Sequence, residues 1–440
     1  MTLFFLGIFY GIVSYIITEL GKYSNFVIYT LIIINILFLI LIYNKLYYGI
    51  SIQGTFSNSN HNSSNITSNN LKKVHNNIAK LKRNLENIEH KLDDKLENFT
   101  NFYQCPKYKL LHNLESVLSA NNINRVGSPE VVADLYLPCG YNNVEDELAS
   151  MKSVPANQKI YAIKGCDKLA SKNELWGIFR RAYGFEGACK YMPRTFDTSK
   201  SDEVGLFKDT YKAGQLYFLK KNIQRKEGIL LTRDFKQIME EVRIGEYRVI
   251  QEAVNDLYLI KKRKVNLRVY LLVICQGGVV SGFLYHEGKC IYSNKDVSAP
   301  NSANNDREEH LTSLNLDVGI YKTSPESLRD LKNHLGNYKF GLLWERIKAI
   351  FGALMKAVVA EKLVCNQKSL EGNMTFQLFG GDIIFDTKMN PFLLELNKGP
   401  SMKYMTKADE AMKIQLTADV MAKAGVLENG ENADSKWIIV

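Results

Sequence analysis

Residues 376–397 read FQLFGGDIIFDTKMNPFLLELN, and three of them have oxygen side chains at a spacing suited to a metal ion. The two apolar runs flank a turn, so the stretch is expected to fold as a β-hairpin. With Asp386 opposite Pro391 across the loop 387–390, Asp382 falls opposite Glu395. Directly opposed residues of an antiparallel pair share a face, and Asn397, two positions on, shares it too. Two carboxylates and an amide oxygen then converge. That hard-oxygen set suits Mg²⁺, with phosphates and waters completing its octahedron. Carboxylates in so apolar a hairpin are costly unless a cation compensates them. The competing reading is a surface hairpin whose acids face water.

Two further segments carry isolated polar groups. Residues 217–229, YFLKKNIQRKEGI, read as a strand ending at Lys220, a basic loop containing Arg225, and a strand opening at Gly228. A lysine at a strand end beneath such a loop can hold phosphate, although a basic turn on a basic protein is the plainer explanation. Residues 249–254, VIQEAV, bring Gln251, Glu252 and Val254, and residues 264–273, KVNLRVYLLV, place Lys264 and Arg268 in an apolar strand. Arginine is rarely buried unpaired. Its partner is either a structural carboxylate or a phosphate and the charge that develops on it in a transition state.

The elements that must position these groups are mostly strands. Runs at 215–221, 228–232 and 246–254 are expected as strands, with two more in 258–275 around the basic break 261–264. Gly277-Gly278 is a hairpin turn leading into a strand at 279–285. Residues 342–364 form an amphipathic helix with Ile347, Ile350, Phe351, Leu354, Val358 and Leu363 on one face. Its charges, Glu345, Arg346, Lys348, Lys356 and Glu361, exclude a membrane span there.

The N-terminal part differs in kind. Residues 2–18 and 26–43 are almost wholly apolar, near the about 17–25 residues that a span requires. Residues 1–45 are therefore expected to form two transmembrane helices. An uncleaved signal sequence is the rival for the first, without its basic n-region. Lys45, Lys72 and Lys73 follow, which places the membrane-anchored chain with its catalytic domain facing the cytoplasm. Residues 46–70 are rich in Ser and Asn and read as a disordered linker. Leu71, Val74, Ile78, Leu81, Leu85, Ile88 and Leu92 mark a coiled coil of about three heptads within 71–98, and with it a homodimer or a trimer. A single amphipathic helix is the alternative.

Charge narrows the partners. With 56 Lys and Arg against 46 Asp and Glu, the net charge of the 440-residue chain is +10, which favours an acidic partner. No compact basic run marks a nucleic-acid site. Seven cysteines without a CxxC pair read as free thiols in a reducing compartment.

In this order, the segments above, together with KLASKNELW at 168–176 and FLLELNKGPS at 392–401, resemble the tubulin-tyrosine-ligase-like branch of the ATP-grasp enzymes, over roughly residues 135–425. The resemblance implies an α+β ATP-grasp ligase, with N-terminal and central subdomains in 99–214 and the catalytic subdomain in 215–430. It implies Mg²⁺ on Asp382, Glu395 and Asn397, with Glu395 and Arg268 catalytic. It implies ATP on Lys172, Lys220, Arg225, Gln251, Glu252, Val254, Lys264, His310 and Thr312. The activity implied is the joining of a free amino acid to a carboxylate of an acidic protein acceptor, such as a tubulin tail, through an acyl phosphate. The chain departs from the family pattern at Asn266, near Tyr292 and at Ser313, and only Gly228 remains of its glycine-rich loop. A nucleotide-binding scaffold and a small-molecule ligase are the alternatives.

Overall fold

Residues 263–292 form one long hairpin, and its first arm, 264–275, is buried at most positions on both faces. A computed structural model describes residues 100–440 apart from 107, 129–132, 141–142, 152–154, 156, 224–227, 298–304, 313–315 and 428–433. Residues Asn98–Val440 are one compact unit.

In chain order the strands are β1 Asn101–Tyr103, β2 Asn124–Val126, β3 Leu135–Tyr136, β4 Lys159–Ile160, β5 Thr195–Asp197, β6 Tyr217–Lys220, β7 Ile229–Thr232, β8 Val249–Glu252, β9 Leu259–Ile260, β10 Arg263–Gln276, β11 Val279–Tyr292, β12 Met374–Phe385, β13 Pro391–Asn397 and β14 Trp437–Ile439. The helices are α1 His112–Ala120, α2 Val144–Ser150, α3 Cys166–Ala170, α4 Lys172–Ala188, α5 Ser201–Thr210, α6 Phe235–Ile244, α7 Arg307–His310, α8 Leu328–Ala360 and α9 Lys407–Lys423.

The large sheet runs β14-β11-β10-β12-β4-β3-β1-β2, with β13 on β12 and β9 on β10. Side chains alternate across it. Leu267, Val269, Leu271 and Val273 of β10 enter one core with Ile347, Phe351, Leu354 and Val358 of α8. Tyr270, Leu272 and Ile274 enter another with Leu114 and Val117 of α1 and Leu416 and Val420 of α9. Arg268 belongs to this second face.

The smaller sheet is antiparallel, in the order β5-β8-β6-β7. It takes β5 from before residue 215 and its other strands from after it. Tyr217, Leu219 and Ile250 pack with Phe207 of α5 and Ile238 of α6. Alternation therefore sends Phe218 and Lys220 to the opposite face.

The structure departs from expectation in several places. Helix α8 starts at Leu328, not 342, because Gly336 (φ 78°, ψ 160°) kinks it and breaks the apolar period. Strand β11 continues to Tyr292. At the hairpin end Phe385, not Asp386, pairs with Pro391, and a bulge between Asp382 and Ile383 restores Asp382 opposite Glu395. Cys105 is bonded to Cys139 and Cys275 to Cys365, so only Cys166, Cys189 and Cys290 are free thiols. Their Cα separations of 5.1 and 5.9 Å are in the disulfide range. The sequence separations of 34 and 90 gave no sign of the pairing.

The membrane-anchored architecture and its cytoplasm-facing placement are corrected as well. Among the described residues no helix is long and apolar enough to cross a membrane. The two expected spans (1–45), the linker (46–70) and the coiled coil (71–98) lie outside the described residues.

One position tests the sheet directly. A methyl group on Gly288, opposite Val269, would press on the backbone carbonyl oxygen of Arg268 and the Leu328 side chain. Gly288→Ala is expected to cost about 1–3 kcal/mol by overpacking, read as a lower urea midpoint with an unchanged slope.

Candidate functional site

Four charged residues lie in one transverse row across the large sheet. Lys289 of β11 is directly opposite Arg268 of β10, Arg268 opposite Asp382 of β12, and Asp382 opposite Glu395 of β13. Arg268 grips Asp382 through two parallel bonds, Nε to Oδ1 at 2.6 Å and Nη2 to Oδ2 at 3.1 Å. The partner of the strand arginine is thus a carboxylate of the expected metal set. Burial opposes the Arg268 charge, but Asp382 outweighs it and raises the guanidinium pKa above its ordinary value.

Glu395 faces lysines. The Nζ of Lys172, the first residue of α4, lies 3.7 Å from its Oε2 and donates to the Ile223 carbonyl at 3.1 Å. Burial works to raise the Glu395 carboxyl, yet Lys172, Lys220 and Arg268 together hold it below the usual carboxylate range. The Asn397 amide donates weakly to the Gly380 carbonyl at 3.4 Å.

Across from this row stands the inner face of the smaller sheet. Lys220 is buried and donates to Gln251 Oε1 at 2.6 Å, and Gln251 donates onward to Thr195 Oγ1 at 2.9 Å. Burial pulls the Lys220 ammonium down to about 8, against the attraction of Glu395. Lys264 donates to the His310 carbonyl at 3.0 Å. Thr312 is buried and bridges to Ser293. Both lysines lie against the Phe218 ring, with the Nζ of Lys220 at 5.9 Å and of Lys264 at 5.3 Å from its centre, a cation–π arrangement.

Glu252 and Val254 line a cavity of about 310 Å³ together with Ala253, Cys189, Arg194 and Phe392. Burial raises the Glu252 carboxyl, with Lys212 and Arg194 working against it. Both cations stand 3.7 Å away. Arg225 lies outside the described residues.

The structure thus brings Lys172, Lys220, Gln251, Arg268, Asp382 and Glu395 around one space, with Lys264, His310 and Thr312 grouped about Phe218. Sequence reasoning missed Phe218, although its alternation with Lys220 put both on one face. It also missed Lys289, which His286, Glu287 and Gly288 precede, so no apolar contrast marked it. Among the described residues no group of three or more His, Cys, Asp or Glu side chains converges as a metal cage. Two opposed carboxylates and one amide fit a hard divalent cation that takes its remaining ligands from phosphate and water. Arg268 and Lys172 already counter the same carboxylates, so a cation and a polyphosphate arriving together would exchange partners with them.

The tubulin-tyrosine ligase family matches residues 149–433. The chain belongs to that family. Every site residue named above falls within the match. The chain is also similar to a probable beta-tubulin polyglutamylase of Tetrahymena thermophila, 26% identical over 58% of this chain and 23% of the relative. It is 28% identical to tubulin polyglutamylase TTLL6 of Mus musculus over 48% of this chain and 26% of the relative. With probable tubulin polyglutamylase TTLL2 of Homo sapiens the identity is 23%, over 67% of this chain and 54% of the relative. The chain therefore spans about a quarter of the length of the first two relatives.

Proposed function

We propose that this member of the family is an ATP-dependent ligase that joins an amino acid to a carboxylate of an acidic protein acceptor. The observation that carries the reading is the row Arg268–Asp382–Glu395, faced by Lys172 and Lys220. It sets two carboxylates among three cations, which is what a metal-bound polyphosphate needs. The relatives that are tubulin polyglutamylases make tubulin the first acceptor to try.

In this reading Asp382, Glu395 and Asn397 hold Mg²⁺, which when bound neutralises charge on the transferring phosphoryl group. Lys172 and Lys220 hold ATP phosphates. The backbone of residues 251–254 meets the base, with the cavity at Val254 at that end. Lys264 and the segment of His310 and Thr312 flank the nucleotide. An oxygen of the acceptor carboxylate attacks the γ-phosphorus and ADP leaves, giving an acyl phosphate. The amine of the amino acid then attacks the acyl carbon, phosphate leaves, and the amine loses a proton as the amide forms. Arg268 stabilises the charge that gathers on the acyl phosphate oxygens.

The test is incubation of the full chain with MgATP, tubulin and pooled labelled amino acids. Label on protein that requires ATP, with ADP released in step, supports the reading. Absence of both ADP and label overturns it.

Lys220 gives a second expectation. Burial pulls its ammonium down to about 8, and a phosphate beside it favours the charged form. MgATP binding is therefore expected to take up protons between about pH 8 and 9, with affinity falling as pH rises through that window. Calorimetry in buffers of different ionisation heat reads the uptake. Lys220→Met should abolish it, and an unchanged uptake in that variant would remove Lys220 from the phosphate site.

A further inference from the structure

We infer that residues 399–407, the segment leaving the Glu395 strand, form the docking edge for an acidic peptide, the acceptor of the proposed ligase. The inference rests on that reading for the identity of the peptide, and on the following geometry for its place.

The segment begins two residues after Asn397, and its Pro400 lies over Gly380, two positions along β12 from Asp382. Gly380 has no side chain there. A Cβ on it would come within 2.7 Å of Pro400 Cβ and 3.0 Å of Arg268 Cδ, so Pro400 and the arginine stem share the space above that glycine. Pro400 therefore stands beside the stem of Arg268.

Its backbone is locked from below. Gln377 Nε2 donates to the Lys398 carbonyl at 2.6 Å, and the buried Lys413 donates to the Lys403 carbonyl. Asp409 accepts from the Met405 amide at 3.1 Å and from the buried Lys289 and Lys413. Thr406 caps α9 and also donates to Glu326. Lys289, the fourth member of the charged row, thus ties the segment to the strand that carries it.

Between these anchors Met402 and Thr406 are half-buried, and Tyr404 is hydrogen-bonded to Glu410, which also pairs with His112. Tyr404 is 43% and Met405 47% exposed, and Lys403 and Lys407 are exposed beside them. The Tyr404 ring lies 6.0 Å from that of the exposed His112. Single exposed apolar side chains are ordinary, but here two adjacent ones are held on a pinned backbone between two lysines. A pinned frame avoids the ordering cost of binding, and the lysines complement carboxylates.

Another basic set, Arg233, Lys236, Arg243, Arg248, Lys261, Lys262 and Arg263, includes two cations on α6, Lys236 and Arg243. Helix α6 packs through Ile238 on the face of the smaller sheet that holds Tyr217 and Leu219. Helix α6 is therefore on the side of the smaller sheet away from Lys220.

The experiment measures binding of a fluorescein-labelled glutamate-rich peptide to the full chain by anisotropy at low salt, where no turnover is required. The double reversal Lys403→Glu and Lys407→Glu is expected to raise Kd at least about tenfold, and Tyr404→Ala about threefold. The matched reversal Lys236→Glu and Arg243→Glu should change it less than twofold, and MgATP binding controls for folding. Equal losses in both double variants, or none at residues 403 and 407, overturn the inference. If the wild type ligates nothing yet binding falls as stated, the ligase reading fails and the docking edge stands.

Discussion

Glu395→Gln is expected to lower amino-acid ligation by about 10²–10³-fold while leaving a folded chain. The amide keeps the size of the carboxylate and removes its charge. In the proposed site that takes away a hard anionic ligand, and Lys172 and Lys220 lose the carboxylate that offsets their charge. Several kcal/mol of charge stabilisation depend on the metal, and each 1.36 kcal/mol is about tenfold in rate. Stability should respond with a definite pH dependence. The Glu395 carboxyl is held below its ordinary range, so its contribution is fully present above the unfolded value of about 4.3. It is lost as pH falls through the lowered folded value. Melting curves of the two proteins should therefore differ at pH 7 and converge in acid. Ligation within tenfold of wild type would remove Glu395 from the metal site.

The sequence made the site more legible than its surroundings. Alternation and the short loop of residues 387–390 put Asp382 opposite Glu395, and the structure has them so. One compensation was hidden, because the bulge that shifts the hairpin end by one residue leaves no mark in an apolar run of Ile and Leu. Arg268 stood out because arginine inside an apolar strand demands a partner. Which partner it was depended on the register of β10 against β12, strands about a hundred residues apart whose pairing no local pattern encodes.

Other features were invisible for the same reason. The lysines of the row and of α9 meet at Asp409 through the packing of a helix on a sheet, and no spacing announces that. Gly336 masked the first turns of α8, since a periodicity argument stops where the helix kinks. The disulfides join cysteines brought close only by the fold. Local alternation is written in neighbouring residues, whereas pairing across the sheet is written in the whole core.

Arg268 is where structure and chemistry can be separated. Arg268→Gln leaves the Asp382 carboxylate, nearly buried, without its guanidinium. Breaking such a pair from one side costs about 3–5 kcal/mol, read as a lower denaturant midpoint. The charge on the reacting phosphoryl and acyl oxygens loses its arginine as well, and a loss of about 10³-fold or more in turnover is expected. Arg268→Lys restores one charge but not the two parallel bonds, so it should recover much of the stability and little of the rate. The double variant Arg268→Gln/Asp382→Asn removes both charges together. Were Arg268 only a partner for Asp382, this double variant would lose no more activity than Asp382→Asn alone. If it acts on the substrate, Arg268→Gln must add its own loss wherever the metal site is left intact. That loss should appear in kcat and not in the affinity for MgATP. Stability recovered in the double variant, with turnover still lost in the lysine variant, assigns the ion pair to folding and the guanidinium to the reaction.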